Sequence, residues 1–229
     1  GYAAGDALTS GTLNTFVGTE AGGAAQTVND NTAIGAYAFD AGTGAANTAV
    51  GSGALGGASN SGTANVAVGK DAGNSLSSGT YNTLVGNLTG DALTTGEENV
   101  AMGYQALGTA TKSDNNVAIG NSALGTLNHS TQTNAYNTAV GYSAGGAVTT
   151  GINNTLVGGL AGDAMTDADS NTAIGYYALS TNVLGSQSTA VGSGALALHN
   201  PATASQTLNT AVGYDAGNQI TTGTVNTFV

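Results

Sequence analysis

The chain has 229 residues with 13 acids, 2 bases and a formal charge of −11; 38 glycines, one proline and no cysteine complete the profile. Charged residues make up 7%, where a soluble domain has roughly 25%, and Lys70 and Lys112 cannot build the basic face that nucleic-acid binding requires. The acidic balance opposes anionic membrane surfaces, no apolar run reaches the roughly 18 residues of a membrane span, and the absence of cysteine removes disulfides and thiolate metal sites.

A short motif, Asn-Thr-Ala-Val-Gly and close variants, begins at Asn14, Asn31, Asn47, Asn65, Asn82, Asn99, Asn116, Asn137, Asn154, Asn171, Ser188, Asn209 and Asn226. The usual step is 17 residues, and the repeat covers residues 1–229 as one array. From Asn65 the steps run 17, 17, 17 and 21 and then recur, so a cassette of four units has been duplicated. Such a period is too short for paired helices, and Thr, Val, Gly and Asn are poor helix formers.

Numbering each unit from its Asn, positions 1 to 4 predict a short strand, closed at position 5 by a glycine that either takes positive φ or lets another backbone approach. A second strand is expected at positions 8 to 12, where Ala, then Gly or a bulky apolar residue, and later Leu8, Leu76, Leu93, Val148 or Ile220 recur. Two strands and two turns per unit make one coil of a parallel β-solenoid, and thirteen coils at about 4.8 Å each give a rod roughly 60 Å long. The extra residues in Leu127–Tyr136 and Ala197–Leu208 are expected to bulge as loops from one edge.

Stacking places each position above its own copy. The position 1 asparagines then form an amide ladder, whose simplest role is to satisfy buried turn amides. Position 2 exchanges Thr with Val66, Val100 and Val117, so its methyl matters more than its hydroxyl. Position 3 is Ala, Leu or Phe and never polar, although it must face opposite to positions 2 and 4. A strand apolar on both faces is buried on both: one face lines the coil, and the other needs a cover, most simply copies of the same chain. A homo-oligomer, a trimer above all, is therefore expected.

Asn-Thr-Ala-Ile-Gly at 31–35 and 171–175 and Asn-Val-Ala-Val-Gly at 65–69 resemble the head repeats of trimeric autotransporter adhesins. Asn-Thr-Ala-Val-Gly-Tyr-Asp-Ala-Gly at 209–217, with Thr-Thr-Gly at 149–151 and 221–223, looks like bacteriophage tail-fibre repeats. The resemblance implies an all-β, left-handed, trimeric β-roll or β-helix. It also implies a non-enzymatic role in an extracellular fibre of a virion or cell surface that presents a receptor-binding surface.

Tyr2, Tyr104, Tyr142, Tyr176 and Tyr214 occupy position 6. The last four fall on alternate coils, about 10 Å apart by strand spacing, a row that could hold sugar rings of a cell-surface glycan or simply cover turn backbone. Asp167-Ala-Asp169-Ser-Asn171 begins like a calcium loop, but Thr172 and Ala178 stand where glycine and the bidentate glutamate belong. His129 and His199 lie out of register, which speaks against a shared metal site, and Asp6, Asp91 and Asp163 read as turn residues. No catalytic, metal or cofactor constellation interrupts the repeat.

Two other readings remain open: a self-assembling extracellular filament and, from the low charge and the Thr ladder, an ice-binding solenoid. Gly1 stands at position 5 and Val229 at position 4, so the chain is expected to be a window on a longer fibre or a unit stacked end to end.

Overall fold

The computed structural model describes residues 1–57 and 59–229. Among them there is no helix, and thirteen strands of two or three residues form one parallel sheet that runs from Thr15–Val17 to Thr227–Phe228 in chain order. Each strand pairs with its copy one coil on: Thr15 with Thr32, Phe16 with Ala33, Val17 with Ile34. That register persists to the last pair, Thr210 with Thr227. The chain is a parallel β-solenoid of about thirteen coils spaced about 17 residues apart.

β-Branched residues at positions 2 and 4 favour the extended segment, and the glycine at position 5 ends it for two reasons. Its φ is 132° to 139° in every coil from Gly18 to Gly213, a conformation costly for any residue with a Cβ. A Cβ at Gly35 would also lie only 2.5 Å from the carbonyl oxygen of Gly51 in the next coil.

The second strand expected at positions 8 to 12 does not form. Three overlapping turns occupy the segment instead; in the coil begun by Asn99 the amides of Ala106, Gly108 and Ala110 donate to the carbonyls of Gly103, Gln105 and Leu107, at 3.4, 3.1 and 3.2 Å. Positive φ at positions 7 and 9, as at Gln105 (54°) and Leu107 (51°), turns the chain too quickly for an extended run. Neighbouring coils hold these residues in place, since the amide of Gln105 donates to Asn87 and that of Leu107 to Ala123.

The two long segments are tied to the solenoid by β-pairing. Ser113–Asp114 pairs with Thr133–Asn134, and Gly185–Ser186 pairs with Ser205–Gln206, each in a small parallel sheet.

Position 3 points into the coil and is completely buried in every coil from Ala33 to Ala211. The core keeps its volume by exchanging bulk among positions 3, 9 and 12. Leu84 at position 3 sits over Gly73 and Gly90, whose missing side chains would lie 2.8 and 3.0 Å from its methyls. Ala101 in the next coil is accompanied by Leu107 at position 9. Gly90 is followed by Leu93 and Gly162 by Met165 at position 12, whereas Leu107 is followed by Ala110. Close packing of such a narrow interior requires this compensation.

Candidate functional site

The asparagine column is internal and structural. The amide oxygen of Asn82 accepts from the backbone N–H and the Nδ2 of Asn99 at 3.1 and 3.0 Å, while Asn99 Nδ2 also donates to Ser113 O at 2.9 Å within its own coil. Each asparagine thus closes one coil and docks the next, and its amide is buried from Asn31 to Asn209. Ser188 interrupts the column. There the amide of Asn209 donates to Ser188 Oγ at 3.2 Å and its Nδ2 to His199 Nε2 at 3.1 Å.

Positions 2 and 4 point away from the core and form the outer face of the thirteen-stranded sheet. One row is mostly threonine and the other is Val, Ile or Met throughout. Val17, Ile34, Val100, Met102, Ile174 and Val212 are 38% to 53% exposed, and neither row contains a charge. A soluble chain rarely leaves a continuous apolar strip open along its length unless something lies against it.

All five position 6 tyrosines are exposed, from 46% for Tyr104 to 81% for Tyr214. Tyr104, Tyr142, Tyr176 and Tyr214 stand on alternate coils with Asn121, Gly159 and Ser193 between them. Tyr2 is six coils before Tyr104, about 29 Å by strand spacing, and is not part of that row. Tyr177 packs edge-on against Tyr176 with ring centroids 4.2 Å apart.

Both histidines serve the fold. His129 Nδ1 lies 2.9 Å from Ser113 Oγ and Nε2 donates to Thr150 O at 3.1 Å, so both ring nitrogens are partnered. His199 is fully buried at core position 12, and burial lowers its pKa from the ordinary 6.5. The acids at 167–171 do not converge: Asp169 accepts from the Ile152 amide at 2.8 Å, and Asn171 belongs to the amide column. No group of three or more His, Cys, Asp or Glu suited to a metal occurs among the described residues.

Position 10 carries several acids. Burial raises the carboxyl pKa of Asp40, Asp91 and Asp163 above 3.8; Asp6 adds to the effect at Asp40, and Asp71 at Asp91. Asp91 and Asp163 stand at the two ends of an open trough of about 640 Å³ on the turn side of the solenoid. The repeat marked these two acids as turn residues but gave no sign of the trough. Its one sequence signal is glycine on three consecutive coils at the same position.

No protein-family model, curated protein or solved structure matches this chain.

Proposed function

We propose that this chain is a structural, non-enzymatic segment of an extracellular fibre, of the kind found in phage tail fibres or cell-surface adhesins. Three copies pack side by side through the sheet face, forming a left-handed trimeric β-roll. The observation that carries this reading is the uncharged Thr and Val/Ile/Met surface along thirteen strands, half-exposed in the single chain. Copies arranged around an axis parallel to the solenoid meet like residue with like at every coil, which suits a repeat with one fixed register. The ice-binding alternative draws on the same face, but threonine forms only one of its two rows.

Sedimentation equilibrium and native mass spectrometry test the proposal. A trimer of the 21.9 kDa chain is expected, and a monomer at all concentrations would overturn it.

A further inference from the structure

Five consecutive coils carry Asp91, Gly108, Gly125, Gly146 and Asp163 at position 10. They line the trough of about 640 Å³ together with Gln105, Ser122 and Ser143 from position 7. None of these residues belongs to the sheet, so the trough is separate from the self-association face.

The three glycines are not required by the backbone. None has positive φ, and other coils place Asp40, Asn74, Ser180 and Ala197 at the same point of the unit. A Cβ added at Gly108, Gly125 or Gly146 would lie 3.1 to 3.2 Å from the carbonyl oxygen and 3.4 to 3.5 Å from the Cβ of the position 7 residue in its own coil, and Asn74 and Ala197 carry a Cβ after the same turn bond. What the glycines do provide is an open floor three coils long, closed at each end by an aspartate. The two aspartates are four coils apart, about 19 Å by strand spacing, too far to share a metal ion.

The lining chemistry selects the occupant. It includes two carboxylates and no basic side chain, so anions are disfavoured, while hydrogen-bond donors are required. Asp163 Oδ1 is sealed from solvent, so an occupant can meet this carboxylate only at its other oxygen. Leu160, Ala147 and the glycine methylenes supply apolar contact, and pockets for small ligands combine such walls with a few placed polar groups. We infer that the trough binds a short neutral oligosaccharide lying along the solenoid axis, its hydroxyls donating to Asp91 and Asp163 and its ring faces resting on the glycine floor. The exposed tyrosines do not line the trough, so this site is distinct from the tyrosine row.

The test is titration of the ¹⁵N-labelled chain with neutral gluco-, manno- and galacto-tetraoses, followed through the amide signals of Gly108, Gly125 and Gly146. Saturable shifts at these three amides with one of the sugars are expected. Gly125→Asn, which introduces the residue found at Asn74, should weaken binding at least about tenfold by blocking the floor, with the melting temperature unchanged. Asp163→Asn provides a second route should Gly125→Asn unfold; loss of that carboxylate acceptor should also weaken binding. Absence of saturable shifts with all three sugars would overturn the inference. So would shifts confined to Tyr104, Tyr142, Tyr176 and Tyr214, or wild-type affinity in the folded variants.

Discussion

Ser188 Oγ lies 2.6 Å from Thr207 Oγ1, so a hydroxyl carried on the 21-residue coil stands in where the asparagine column lacks an amide. The insertion and the substitution therefore belong together: the longer coil brings in the side chains of Thr207 and His199, which complete the bonding around Ser188 and Asn209. Thr207→Val should cost about 2 kcal/mol, at roughly 1 kcal/mol for each of the bonds it removes, to Ser188 Oγ and to Ser186 O. Asn99→Ala should cost about 3 kcal/mol or more, because the Ser113 carbonyl and the Asn116 backbone amide lose their partner, while the side chains of Asn82 and Asn116 each lose one bond and keep another. Equal losses in urea unfolding would show that the column is not the stronger element.

Exchange of bulk within the core predicts a coupling. Leu84→Ala alone should destabilise by about 2–5 kcal/mol through the cavity it leaves. Gly90→Leu alone should also destabilise, since its side chain would run into Leu84 and Leu93. The double variant recreates the pattern of the coil containing Ala118, Leu124 and Leu127. It should therefore be more stable than the sum of the two changes predicts by about 1 kcal/mol or more; additive losses would contradict the compensation.

Stability should depend on pH in two opposing windows. The carboxyls of Asp40, Asp91, Asp114 and Asp163 are raised above 3.8, with burial the largest cause. The native state therefore holds their protons to higher pH than the unfolded chain, and stability falls as pH rises through that range. His199 has the opposite sign: burial lowers its pKa from 6.5, so its contribution is present above 6.5 and lost as pH falls toward the native value. Melting temperature should decline on acidification below pH 6.5 and recover as the carboxyls protonate. His199→Asn, matching Asn182 at the same position of the preceding coil, should remove the decline. An unchanged profile in that variant would refute the assignment.

The residue just before each column residue adopts positive φ in all thirteen instances, and none of these residues is glycine. Val225, with φ 59° and 72% exposure, carries the strain of a β-branched residue in this region with little packing in return. Val225→Asn should stabilise the chain by about 1 kcal/mol, measured by thermal melting.

Met102→Lys and Val212→Lys on the outer sheet face should convert a trimer into monomers. Both positions are more than 40% exposed in the single chain, so the separated chains should keep their circular-dichroism spectrum. Intact trimers in both variants would place the contact elsewhere.

The strand at positions 1 to 4 was legible because its alternation and its closing glycine recur unchanged. The turns at positions 5 to 12 were not. Leu107, Tyr37 and Phe39 have no intrinsic preference for positive φ, yet all three adopt it. Inter-coil bonds such as Leu107 N to Ala123 O belong to the stack rather than to the segment, so local propensity does not reveal them. Alternation separated position 3 from positions 2 and 4 but left open which face lines the coil; the structure turns position 3 inward. The trough depends on which side chains are missing from one row, and reading that row requires the coils to be placed in register.

The regular spacing of the coils also shapes how the chain folds. Every strand contact joins segments 16 to 21 residues apart, so no step has to close a long loop. By the logarithmic dependence of closure entropy, a 21-residue coil costs only about 0.2 kcal/mol more to close than a 17-residue one. The first two coils to stack bear the unfavourable nucleation step, and each later coil adds to a template already in register. Folding should therefore propagate outward from a nucleus as a zipper.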